Sequence, residues 1–122
     1  MRVMVVDDEQ DVQFMFQQRF RKEEKAGRIA LQFAFSGEEA LSQLTNSKPA
    51  EIFLILTDIN MPGMSGLDLL RELKQRYALI KVFMITAYND EEKYRTAKNY
   101  GCDGYFTKPI DFDILKKKIF GE

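Results

Sequence analysis

Five side chains in this sequence are of the types, and in the places, to do chemistry together. Asp7 and Asp8 stand in tandem behind the apolar run from Val3 to Val6, and Asp58 follows the run Ile52 to Leu56 after Thr57. Thr86 closes the run Val82 to Ile85, and Lys108 lies just beyond Tyr105-Phe106. Three carboxylates brought close together cannot all stay charged without a counter-ion. There is no histidine, and Cys102 is the single cysteine. The donors are therefore oxygens, which suit a hard cation. Mg²⁺ fits best, because it keeps several waters and binds through one or two carboxylates plus phosphate oxygens. An ammonium and a hydroxyl aimed at a metal-bound carboxylate suit a tetrahedral oxyanion, namely phosphoryl. The inferred chemistry is phosphoryl transfer onto a carboxylate, giving an aspartyl phosphate.

The same composition excludes other chemistries. Without histidine there is no Ser-His-Asp triad, no imidazole general base and no His-ligated zinc. One cysteine excludes an internal disulfide and a cysteine-cluster metal site, and fits a reducing compartment. The 122 residues make one domain, residues 1–122, with 45% hydrophobic and 30% charged residues. The net charge of -1 gives no basic surface for nucleic acid or anionic lipid. No apolar run spans a bilayer, and the N-terminal Met1 to Val6 reads as a strand rather than a signal peptide. The expected location is the cytoplasm.

Elements must bring these residues to one place. Short apolar runs alternate with longer amphipathic segments: Val3 to Val6, Ile29 to Phe35, Ile52 to Leu56, Val82 to Ile85, and Tyr105-Phe106. Runs lacking polar alternation suit strands covered on both faces, as in a parallel sheet. Between them lie helical stripes. Val12, Met15, Phe16 and Phe20 form the first, with Phe14 off it; Ser36-Gly37-Glu38-Glu39 predicts a capping box ahead of Ala40, Leu41 and Leu44. Leu69, Leu70, Leu73 and Tyr77 form the third stripe after Pro62-Gly63 turn chemistry, and Tyr94 and Ala97 the fourth after an Asn89-Asp90-Glu91-Glu92 cap. Asp111 caps a last helix with Phe112, Leu115 and Ile119 inward and Lys116, Lys117 and Lys118 at its solvated end. Five strands alternating with five helices predict a doubly wound, flavodoxin-like α/β domain with parallel strand order 2-1-3-4-5. The crevice then lies beyond the carboxyl ends of the strands, where all five chemical residues fall.

With those motifs in order, the sequence resembles the receiver domain of bacterial two-component response regulators. The resemblance rests on Val5-Val6-Asp7-Asp8-Glu9, the stretch from Thr57 through Asp58, Asn60 and Pro62 to Gly66, Ile85-Thr86-Ala87, and Lys108-Pro109. Each is modest alone; their joint order is specific. The resemblance implies that Asp58 is the phospho-acceptor. It implies that Asp8, Asp58 and the backbone carbonyl of Asn60 ligate Mg²⁺, with Asp7 holding metal-bound water. Lys108 would pair with phosphoryl oxygens, Thr86 would bind the arriving phosphoryl group, and Tyr105 would be the aromatic switch. The Lys108–Pro109 bond is often cis in such domains. The implied partners are a sensor histidine kinase or phosphotransfer protein and an output domain or downstream protein. The face of the fourth helix, fifth strand and fifth helix would mediate the switch or dimerisation. Lys22 to Arg28 lengthens the first crossover as a charged helix extension and turn. Asn60 and Tyr88, each two positions past a site residue, are expected to gate the water that hydrolyses the acyl phosphate.

Each residue also has a plainer reading. Tandem aspartates after a strand serve turns and caps, Thr86 can merely end a strand, Lys108 can be a solvated loop lysine, and Tyr105 a core aromatic. One crevice that explains all of them together favours the functional reading. A haloacid-dehalogenase-type phosphatase needs Asp-x-Asp on the first strand and a cap insertion, and a flavodoxin needs a hydroxyl- and glycine-rich phosphate loop there; neither is present. A degenerate receiver acting only as a protein-interaction module is the remaining alternative. No DNA-binding motif is visible, and Phe120-Gly121-Glu122 reads as an abrupt end, which suggests a piece of a longer protein.

Overall fold

A computed structural model describes residues 1–46, 51–87 and 90–121 of the chain. Five strands, β1 (Arg2–Val6), β2 (Ala30–Ala34), β3 (Ile52–Asp58), β4 (Lys81–Thr86) and β5 (Gly104–Thr107), form one parallel sheet in the order β2-β1-β3-β4-β5. The predicted topology is therefore the observed one. β3 is central because it is the most apolar strand, and every residue from Leu54 to Asp58 is buried. Parallel strands need crossovers on both faces, and strand alternation divides the core accordingly. Met4, Val6, Ile55, Val82 and Met84 point to one side; Val3, Val5, Leu54, Leu56, Phe83 and Ile85 point to the other.

The described residues form six helices: α1 (Gln10–Arg19), α2 (Arg21–Lys25), α3 (Gly37–Asn46), α4 (Gly66–Arg76), α5 (Glu91–Asn99) and α6 (Phe112–Phe120). Ala40 and Leu44 of α3, Leu69, Leu70 and Leu73 of α4 and Ala97 of α5 fill the first core. Val12 and Phe16 of α1 and Phe112, Leu115 and Ile119 of α6, with Phe20, fill the second. The sixth helix is a departure from the five expected. The charged extension is helical, but the helix breaks at Phe20, whose φ is -103° and ψ 14°. Phe20 is fully buried, stacked on Phe16 at 5.9 Å and edge-on to Phe112 at 6.1 Å. Holding that ring in the core turns the chain, and α2 restarts with no buried residue of its own.

Caps account for several helix starts. Asp90 accepts from the Glu92 and Lys93 backbone N–H groups, and Asp111 from those of Asp113 and Ile114. Ser36 Oγ accepts from Glu39 N–H at 3.0 Å, but the Glu39 carboxylate reaches Phe35 N–H rather than Ser36, so the predicted box is half made. The full reciprocal box is at Ser65 and Asp68, where only turn chemistry was expected. Two further expectations change. Tyr94 is 39% exposed, lying at the sheet's edge against Tyr105 of the edge strand β5. Lys116 is not simply solvated: its ammonium pairs with Glu23 at 3.1 Å and donates to the Arg19 carbonyl, tying α6 to the α1–α2 corner. Among the described residues, no helix is long and apolar enough to cross a membrane.

Candidate functional site

Register sets the site. Val6 on β1 pairs with Thr57 on β3, so the next residues, Asp7 and Asp58, leave the sheet side by side. Asp58 pairs with Ile85 on β4, which puts Thr86 one residue further along the same edge. Thr86 pairs with Thr107 on β5, and the Lys108 N–H donates to the Thr86 carbonyl at 2.8 Å. Parallel pairing alone thus delivers acids, hydroxyl and amine to one end of the sheet.

The side chains complete the convergence. Asp7 and Asp58 are each 6% exposed, and Asp8 is open to solvent. One carboxylate oxygen from each of Asp7, Asp8 and Asp58 falls within 4.8 Å of the others. The Lys108 ammonium lies between two of them, 3.3 Å from Asp58 Oδ2 and 3.5 Å from Asp7 Oδ2. Asp7 Oδ1 accepts from Glu9 N–H at 2.9 Å, and Asp58 Oδ1 accepts from Asn60 N–H at 3.3 Å. Burial pushes the Asp7 carboxyl above its ordinary range, and neighbouring Asp58 adds to that, against the Glu9 amide and Lys108. Burial would pull the Lys108 ammonium down, but Asp7 and Asp58 together hold it above its usual value. Three carboxylates facing one lysine leave negative charge in excess. An all-oxygen donor set of that sign fits a hard divalent cation held by Asp7, Asp8 and Asp58.

Around this centre, Thr86 is 1% exposed. Tyr105 packs edge-on against Tyr94 with ring centroids 5.0 Å apart, and its hydroxyl oxygen is buried without a well-formed hydrogen bond. Burial raises the Tyr105 phenol above its ordinary value, and the Thr86 side chain acts against that shift. On the outer side of this pair, Tyr94, Lys98, Tyr105, Phe106 and Lys118 line a shallow hollow of about 270 Å³ between α5, β5 and α6. The Lys108–Pro109 peptide is cis. Asn60 is exposed at the rim of the crevice, and Tyr88 lies outside the described residues.

Three residues that position the site were not singled out from the sequence. Gly66 packs so tightly behind Asp58 that a Cβ there would sit 2.0 Å from the Asp58 carbonyl oxygen. Glu38 accepts from Met64 N–H at 3.3 Å, pinning the β3–α4 loop to α3. Lys93 donates to Asn60 Oδ1 at 3.0 Å. Gly66 stands at the end of a quoted motif and Glu38 within a cap motif. Lys93 carries no local signal, because its partner lies 33 positions away.

A doubly wound α/β domain with an acidic, lysine-bridged crevice at the carboxyl edge of its sheet defines the class. Comparison with known proteins makes it specific. A family model described as the response regulator receiver domain matches residues 3–120. The chain is 30% identical over 118 residues to sporulation initiation phosphotransferase F of Bacillus subtilis, covering 97% of this chain and 90% of that protein. It is 36% identical over 109 residues to the DNA-binding transcriptional regulator NtrC of Klebsiella pneumoniae, covering 89% of this chain but 22% of that protein. The chain therefore spans about a fifth of the NtrC relatives' length. A response regulator receiver protein from Pseudomonas putida superposes with a TM-score of 0.87 at 26% identity, covering 99% of this chain and 96% of that one. The CheY-like receiver domain from Methanospirillum hungatei gives 0.86 at 28% identity, covering 98% and 90%. The chain belongs to the response regulator receiver domain family.

Proposed function

We propose that this receiver domain accepts a phosphoryl group on Asp58 and uses it to reset the face formed by α5, β5 and α6. The observation that carries the reading is the Lys108 ammonium held 3.3 Å from Asp58 and 3.5 Å from Asp7 beside a third carboxylate. Asp58 attacks phosphorus in line through a carboxylate oxygen, and the donor's bond to phosphorus breaks. Lys108 pairs with the equatorial oxygens as charge spreads over them. Asp8, Asp58 and the Asn60 carbonyl would hold Mg²⁺ directly, and Asp7 a water on it; bound there, the ion supplies neutralisation of the phosphoryl charge. The chain has no histidine, so the donor is a phosphohistidine on another protein, a histidine kinase or phosphotransfer protein, or a small acyl phosphate. Catalysis here serves the domain's own phosphorylation and dephosphorylation, with no released substrate in the usual sense.

The phosphoryl group draws the Thr86 hydroxyl toward it, which frees the space beside the already buried Tyr105 hydroxyl and lets that ring settle further in. The result is a population shift in α5, β5 and α6 rather than a new fold. An output domain, a downstream protein or a second copy would read that face.

Incubation with Mg²⁺ and acetyl phosphate, followed by intact-mass spectrometry, tests the acceptor assignment. The expected result is one phosphoryl adduct in the wild-type chain and none in Asp58→Asn. Undiminished Mg²⁺-dependent labelling of Asp58→Asn, or no labelling of the wild type by any phosphodonor, would overturn it; the second outcome favours a pure interaction module.

A further inference from the structure

Asn60 connects two parts of the molecule that the sheet does not. Its backbone N–H donates to Asp58 Oδ1 at 3.3 Å, and its side-chain Oδ1 accepts from the Lys93 ammonium at 3.0 Å. Lys93 sits in the first turn of α5, where its own N–H is held by the Asp90 cap at 3.2 Å. The Lys93 backbone is thus fixed to the helix start while its side chain spans to the β3–α4 loop. Lys108 approaches Asp58 through Oδ2, and the Asn60 link approaches through Oδ1. Lys108 thus contacts Asp58 directly, while Lys93 holds the side chain of the exposed residue Asn60, whose backbone N–H contacts Asp58.

We infer that Lys93 is a positioning residue that sets the lifetime of the aspartyl phosphate by holding Asn60 over the solvent side of Asp58. The inference rests on the phospho-acceptor reading above. In hydrolysis, a water oxygen forms a bond to phosphorus and the phosphorus–carboxylate oxygen bond breaks. The electron pair returns to Asp58, and the proton leaves with orthophosphate and solvent. The water must arrive in line from the side opposite the carboxylate, across the open rim. A tethered Asn60 side chain narrows that approach; a free one sweeps clear of it. A lysine suits the task because its long stem reaches across from a capped helix start while its charge strengthens the bond to a neutral amide. The same tether couples α5 to the acceptor loop by a route separate from Thr86.

The test is the decay rate of the phosphorylated full chain after removal of acetyl phosphate, followed by intact mass in Mg²⁺ buffer. Lys93→Met is expected to shorten the lifetime by about threefold or more, the worth of one charge-assisted hydrogen bond. Lys93→Arg is expected to restore most of it, because it keeps a cationic donor at similar reach. In an Asn60→Ala background, Lys93→Met is expected to have no further effect, since the two act as one link. A lifetime unchanged in Lys93→Met, with labelling intact, would overturn the inference and leave the acceptor assignment standing. So would an undiminished Lys93→Met effect in the Asn60→Ala background. Failure of the wild-type chain to label at all would instead strike the acceptor reading itself.

Discussion

At the scale of single residues, the site is a contest for two carboxylates. Lys108 sits between Asp7 and Asp58, and under the proposed function a divalent ion held by Asp8 and Asp58, with Asp7 on its water, would compete with the lysine for the same negative charge. Lys108→Ala is therefore predicted to keep Mg²⁺ affinity or raise it, while slowing phosphoryl uptake about tenfold, as expected for one lost charge-assisted contact to the transferring group. Tyrosine fluorescence during Mg²⁺ titration and the labelling rate by mass measure the two effects separately. Lost Mg²⁺ affinity in that variant would assign Lys108 to the metal's support rather than to phosphoryl pairing. The acids, Thr86 and Lys108 were legible as chemical residues because each follows an apolar run, and a strand's end is readable from one sequence. Lys93 was not, since its role depends on a helix start lying over a loop 33 positions earlier.

At the scale of elements, loops hold Asp58 by close packing. The β3–α4 loop turns through Gly63, with φ of 73°, and closes on Gly66, whose N–H donates to the Ile59 carbonyl at 2.8 Å. Adding a Cβ at Gly66 meets backbone, at 2.0 Å from the Asp58 carbonyl oxygen, whereas at Gly63 it meets the movable Glu38 carboxylate at 2.8 Å. Gly66→Ala is predicted to cost about 3 kcal/mol or more. Gly63→Ala is predicted to cost about 1 kcal/mol, from its left-handed backbone. Urea unfolding of both variants checks the order; a larger loss at Gly63 would show that Asp58 is not held by that contact. The half-made cap at Ser36 and the complete one at Ser65 teach a related lesson. Both begin with serine, but whether the third helical residue folds back depends on where the loop enters, which spacing alone does not fix.

At the scale of the whole molecule, excess negative charge gathers at one edge of the sheet while two apolar layers cover the sheet's faces. A cation bound there only in the folded state must stabilise the fold. Mg²⁺ at about a hundred times its Kd is predicted to add about 2.7 kcal/mol, roughly 10 °C in Tm for a chain of this size. Asp8→Asn is predicted to lose most of that increment. Thermal melts with Mg²⁺ and with a chelator provide the check, and a Tm indifferent to Mg²⁺ in the wild-type chain would argue against a metal site. Fold class, strand order and the identity of the residues at the strand ends were all legible along the chain. Apolar runs between amphipathic segments, joined by right-handed crossovers, leave few other arrangements. The break at Phe20, the turn of Lys116 toward α2 and the Lys93–Asn60 link emerge only in the folded molecule. Each depends on which long side chain or ring wins a place against a distant neighbour. That competition is settled by packing in three dimensions and leaves no period or motif along the chain.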